Sequence, residues 1–128
     1  MKNQYLVLLL MPVLMNTGCE KEKTYDEGII CTLQAVSGLT VNVRLQNSTN
    51  LQTTGITVIA KDGAYTEVLE GYTSSNEIIF SGAIERKGNY VITVAKMGYK
   101  TYTSNVVTVA ADSCHVIPQI VNVFLIPE

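Results

Sequence analysis

The sequence predicts an all-β fold, a single sandwich of about seven to eight short antiparallel strands, on three observations. From Leu39 to Leu45 the apolar Leu39, Val41, Val43 and Leu45 alternate with Thr40, Asn42 and Arg44, the period of two that a half-buried strand requires. Similar segments recur at short intervals to the C-terminus, broken by glycine and small polar turn formers. No segment of the domain carries a helical period. Such a series belongs to a sandwich or a barrel, and isolated hairpins are marginal in water, so these strands need a second sheet to bury their inward faces.

The first residues, MKNQYLVLLLMPVLMNTGC, carry one cation, Lys2, and then an apolar run from Tyr5 to Met15. That run is short for a membrane span of about twenty residues and suits the core of a secretion signal. A buried helix is the alternative, which Pro12 would interrupt. Asn16-Thr17-Gly18-Cys19 resembles the lipobox of bacterial lipoproteins, with Asn16 where leucine is usual. The resemblance implies a signal peptide over residues 1–18 and a mature chain that begins at a diacylated Cys19. Ordinary cleavage with a free Cys19 is the alternative. Two or three acyl chains anchor a protein stably where one binds reversibly. The expectation is an exported protein of the bacterial cell envelope, held on a membrane by its lipid, the outer membrane in preference.

Residues 19–28 include EKEKTYDEG, in which charges alternate without apolar periodicity; this reads as a flexible tether. The domain follows over residues 29–128. With Cys19 consumed by lipid, Cys31 and Cys114 remain as one even pair in an oxidising compartment, and a disulfide is the simplest reading. Two free thiols are the alternative. The roughly 110 residues left after the signal suit one sandwich burying about 60 to 70% of its unfolded surface.

After the strand at 39–45, QNSTNLQTTG (46–55) is a polar loop. GITVIAKDGAYTEVLEG (55–71) reads as a hairpin. A two-residue Asp62-Gly63 loop would set Val58 opposite Glu67. A three-residue loop of Lys61, Asp62 and Gly63 pairs Ile56 with Val68 and Val58 with Thr66, which keeps the charge off the core, and is the expected register. Strands are expected next at Glu77–Ala83, Asn89–Lys96, Tyr99–Thr103, Val106–Ala110 and Ile120–Ile126. Tyr90, Ile92 and Val94 share one face of their strand and are expected in the core. Gly88 and Gly98 are expected to permit backbone turns closed to other residues.

The run KGNYVITVAKMGYKTYT (87–103), with Gly, a spacer, Tyr, alternating aliphatics and then Gly-Tyr, resembles the carboxypeptidase regulatory-like domain, a transthyretin-type β-sandwich attached to many exported proteins. Leu39 to Leu45 is similar to that family's first strand, Ile56 to Val68 to its next hairpin, and Glu85 to Tyr90 to its turn into the later strands. Cys114-His115-Val116 with an upstream cysteine such as Cys31 is similar to a small lipoprotein branch. The resemblance spans about residues 29–127 and implies a transthyretin- or Ig-like sandwich in a mostly non-catalytic family.

Nine Lys and Arg against eleven Asp and Glu, for a net charge of -2, leave no basic footprint for nucleic acid. His115 is the only histidine, too few for a zinc site of the usual kind, and reads as a surface or hydrogen-bonding residue. No nucleophile elbow or glycine-rich loop opening a helix is present. No catalytic residue, metal or cofactor is expected. Glu67, Glu70, Glu77 and Glu85 read as solvated positions. Of the tyrosines, Tyr99 and Tyr102 near the Gly98 turn mark a possible ligand face, for an envelope protein or a glycan. The expected function is a lipid-anchored, non-enzymatic binding or structural module. The alternatives are a fibre subunit assembled by strand donation and a hydrolase. The chain ends Leu125-Ile126-Pro127-Glu128, without the Tyr-Arg-Gly-Ser motif of transthyretin-related hydroxyisourate hydrolases.

Overall fold

The computed structural model describes residues 28–128. The expected signal peptide (1–18), the acylation site Cys19 and the tether up to residue 27 lie outside the described residues. These contain nine strands and no helix: β1 (Ser37–Leu45), β2 (Ile56–Asp62), β3 (Tyr65–Val68), β4 (Glu70–Ser74), β5 (Glu77–Ile84), β6 (Gly88–Lys96), β7 (Tyr102–Thr103), β8 (Val107–Val109) and β9 (Gln119–Leu125). The order β4-β5-β1-β9 forms one sheet, and β3-β2-β6 forms the other, with β7 and β8 in succession along the free edge of β6.

Alternation sorts the side chains as period two demands. Leu39, Val41, Val43 and Leu45 from the first sheet meet Val58, Tyr90, Ile92 and Val94 from the second in one buried apolar cluster, which Ile78, Phe80, Val123 and Leu125 complete. The all-β class, the two layers and the inward faces of the 39–45 and 89–96 strands stand as expected. Nine strands replace the expected seven to eight, and they are not all antiparallel as expected, since β1 pairs with β9 in parallel.

The 55–71 hairpin is a correction. Ala60 faces Glu67 and Asp62 faces Tyr65, so the loop is the two-residue Gly63-Ala64, in neither of the registers weighed from sequence. Gly63 has φ 57° at the first central position while Ala64 stays at negative φ, the backbone signs of a type II′ turn. Glu67 therefore faces inward at the sheet edge. Its carboxylate accepts the Ala83 N–H (2.9 Å) and the Tyr65 hydroxyl (3.1 Å). Keeping charge off the core failed as a criterion because a partnered carboxylate can sit at a core margin. Ala83 holds φ 52°, a left-handed backbone that aims this N–H out of the ladder.

Leu69, buried between β3 and β4, donates its N–H to the Val58 carbonyl (2.9 Å), and there the chain leaves one sheet for the other. Strand β4 was not anticipated, because all five of its residues are exposed and it shows no alternation. Strands β7 and β8 are shorter than the expected 99–103 and 106–110. Between them Ser104 continues the edge of β6: its N–H donates to the Ile92 carbonyl and its Oγ accepts the Ile92 N–H, both at 2.8 Å.

Two glycines in the opening of β6 and beyond its end differ in their reasons. Gly98 (φ 81°) makes the expected left-handed turn. Gly88 does not; a Cβ there would lie 2.5 Å from Asp62 Oδ2 and 2.9 Å from Arg86 Nη1, so glycine at this position leaves room for that ion pair, whose side-chain ends a larger residue would push aside. Tyr90 is fully buried, not at the wet edge of the core. Its hydroxyl donates to the Arg86 carbonyl (3.0 Å) and accepts from Arg86 Nη1 (2.8 Å), the geometry of the tyrosine corner of Greek-key sandwiches.

Candidate functional site: the polar knot at the Cys31–Cys114 disulfide

Strand β1 pairs with β9 in parallel, Leu39 facing Gln119 and Leu45 facing Leu125. Parallel pairing brings the starts of both strands to one end of the sheet, so the segments leading into them run side by side. Paired residues are offset by 80, and the disulfide joins residues 83 apart, with Cα atoms 5.2 Å from each other. The expected Cys31–Cys114 bridge is thus present, and it clasps the lead-in of the first strand to the lead-in of the last.

A polar network surrounds the bridge. Asp112 Oδ1 accepts the N–H groups of Cys114 and His115, each at 2.8 Å, an Asx-type turn that presents Cys114. These two N–H bonds hold the Asp112 carboxyl below its ordinary range. Glu85 reaches from the β5–β6 turn. Its Oε1 accepts the Val36 N–H (2.8 Å) and contacts His115 Nδ1 (2.7 Å), while Oε2 accepts the Val116 N–H (3.3 Å). Partial desolvation pushes the Glu85 carboxyl up, but the Val36 N–H, the His115 ring and the Val116 N–H together outweigh it and leave the group below its ordinary value. His115 Nε2 meets Thr32 Oγ1 at 2.9 Å. One carboxylate thereby ties the segment before β1 to the segment before β9.

Beside the knot, Arg86 bonds Asp62 Oδ2 (2.9 Å) and lies 3.7 Å from the centre of the Tyr65 ring. The hydrogen bonds that Arg86 donates to the Tyr90 hydroxyl and then to Asp62 raise the guanidinium pKa, and burial with the bond donated to Glu67 raises the Tyr65 phenol.

In sequence of contacts, Thr32 hydroxyl, His115 imidazole and Glu85 carboxylate have the order of an acyl-transfer relay. That chemistry also needs a cleft and oxyanion donors. Four clefts on the described surface are lined by none of these three residues, and both Glu85 oxygens accept backbone N–H groups. What these contacts do in the fold is join two segments: one disulfide and one carboxylate clasp the lead-in of β1 to the lead-in of β9. Among the described residues no group of three His, Cys, Asp or Glu side chains is placed to hold a metal ion.

Tyr99 and Tyr102 sit at the opposite end. Both are half-buried against the core, Tyr99 bridged to Pro127 and Tyr102 paired with Val94. Tyr99 lines a shallow concavity of about 560 Å³ with Lys96, Met97 and Gly98, of which Tyr102 is no part. A further surface emerges on the outer face of the four-stranded sheet. There Asn42 donates to Asn122 (3.2 Å) across β1 and β9, and Arg44, Phe124 and the two amides line a cleft of about 250 Å³.

Sequence reasoning identified the two cysteines and a hydrogen-bonding His115, but it missed Thr32, Glu85 and Asp112. Only Asp112, two residues before a cysteine in a turn-forming stretch, carried a local signal. No protein-family model, curated protein or solved structure matches the chain.

Proposed function

We propose that this chain is a lipid-anchored, non-enzymatic sandwich of the bacterial cell envelope, with a carboxypeptidase regulatory-like, transthyretin-type lineage, acting as a binding or structural accessory module. The observation that carries the reading is the position of the clasp. Cys31 lies twelve residues after Cys19, and it is bonded to the lead-in of the last strand. A pull on a membrane tether would act on a covalent bridge and would not peel β1 from its neighbours. The outer face bearing Asn42, Asn122 and Phe124 offers amide and aromatic groups suited to an envelope protein or a glycan.

The test is mass spectrometry of the mature N-terminus from cell membranes. A diacylated Cys19 is the expected result; an unmodified N-terminus at another residue removes the anchor. A second reading, a fibre subunit built by strand addition, is favoured by one observation: β9 ends its sheet, and Ile120 and Phe124 on it are 66% and 58% exposed. Open edges of this kind accept added strands. A ladder of detergent-resistant oligomers would support that reading, and a monomer at all concentrations would remove it.

A further inference from the structure

The end of the sandwich that carries the disulfide is unusually apolar for a solvated surface. Ile30 and Leu33, on either side of Cys31, are 96% and 105% exposed. Ile29 adds to them, as do Ile84 just before Glu85 and Ile117 just after the Cys114 turn, all largely exposed. Five exposed aliphatic side chains thus belong to the segments that meet at this end: the lead-in of β1, the end of β5 and the lead-in of β9. Large aliphatic groups clustered in this way mark an interaction surface, whereas scattered single ones are ordinary.

We infer that this pole seats directly in the interfacial layer of a lipid bilayer, so that the protein stands on the membrane by its disulfide end. The inference rests in part on the anchored reading above. The occupant follows from chain length and direction. Twelve residues separate Cys19 from Cys31, and at about 3.3–3.6 Å per extended residue they span at most roughly 40 Å. An acylated Cys19 therefore keeps this pole within that reach of the membrane surface, and of the two ends of the sandwich it is the one the tether enters.

The polar groups at the pole are compatible with that placement. Glu85, Asp112, His115 and Arg86 are engaged with one another, with backbone N–H groups or with Asp62, so these bonds persist when the aliphatic rim is seated at the depth of the hydrated headgroups. The side chain of Lys87, in the adjoining β5–β6 turn, is exposed and is free to meet anionic headgroups. The clasp also keeps Ile30 and Leu33 on a rigid base, so insertion costs little further ordering of the chain.

The chain contains no tryptophan, which makes a single-tryptophan reporter clean. Ile30→Trp reports the disulfide pole, and Met97→Trp, at the 96% exposed tip of the opposite end, is the control. Each full-length protein is matured in cells, purified and reconstituted into phosphatidylethanolamine–phosphatidylglycerol vesicles, with and without brominated acyl chains. Acylation is read on the same samples by mass spectrometry. The expected result is a blue-shifted Ile30→Trp emission that brominated lipid quenches, and an unshifted, unquenched Met97→Trp emission. Adding Ile29→Asp and Leu33→Asp to the Ile30→Trp protein removes the shift. If Cys19 is acylated and both tryptophans stay unquenched, the pole stands clear of the bilayer and the inference is wrong while the anchor survives. If Cys19 is unmodified and Ile30→Trp is still quenched, the anchor falls and the seating stands; quenching of neither overturns the seating as well. A blue shift in vesicle-free solution with a doubled mass assigns the pole to a second copy of this chain and also overturns it.

Discussion

Removing the disulfide by the double substitution Cys31→Ser and Cys114→Ser tests what the clasp does for the fold. The bridge closes a loop across a separation of 83 residues, for which the chain-entropy relation gives about 4.5 kcal/mol of stabilisation near 25 °C. Part of this is offset in the native state. All the buried core residues follow Cys31, the first being Leu39, so without the bridge the exposed segment before Val36 can fray, and each freed residue recovers roughly 1 kcal/mol or more of backbone entropy. The net expectation is a loss of about 2–4 kcal/mol. For a domain of this size each kcal/mol moves the melting midpoint by about 4–8 °C, so a fall of roughly 10–30 °C is expected with an unchanged far-ultraviolet spectrum below the transition. Urea titration of the oxidised and substituted proteins is the sharper assay. The bridge compacts the denatured chain, so its removal also raises the m-value, which scales with surface exposed on unfolding. A stability loss under about 1 kcal/mol would refute the entropic argument. A protein with no β-sheet spectrum would refute the claim that the clasp fastens a lead-in segment to a core that stands without it.

Three further outcomes are expected. Tyr90→Phe deletes the buried hydroxyl that bonds the Arg86 carbonyl and guanidinium and costs about 1–3 kcal/mol by denaturant titration; a neutral result would mean water replaces the corner at no cost. Gly38→Ala places a Cβ 2.8 Å from both the Ala83 carbonyl oxygen and Val109 Cγ1, a clash with backbone that cannot swing aside, and costs about 1–3 kcal/mol by the same assay. Glu85 and Asp112 both have folded pKa values below their ordinary values. Depressed carboxyl groups contribute stability that is present above the unfolded pKa and is lost as pH falls through the folded one. The pole therefore loosens from near the ordinary carboxyl value of 4.5 downward. Amide exchange at Val36 and Val116, corrected for intrinsic rates, should quicken there before the core amides do, and Glu85→Gln should quicken both at neutral pH.

How much of this was legible in sequence differs from element to element. Leu39 to Leu45 and Tyr90 to Val94 announce their buried faces because each strand has one wet side and one dry side, and strict alternation is the local imprint of that condition. Counting announces the bridge once Cys19 is assigned to lipid as proposed, since Cys31 and Cys114 are then the one pair that remains. Strand β4, exposed at every residue, has no such imprint. Nor does the 55–71 register, since the inward Glu67 is tolerated only because the Ala83 N–H, sixteen residues away, waits for it.

Composition and period by themselves determined that this domain is built of strands in two layers, and which side chains the 39–45 and 89–96 strands hide, because both follow from interactions within a few residues. The parallel seating of β1 against β9, and the gathering of Thr32, His115, Glu85 and Asp112 around the Cys31–Cys114 bridge, were decided only in three dimensions. Those contacts join residues up to 83 positions apart, and a partner at that distance leaves no trace in the local pattern of either segment.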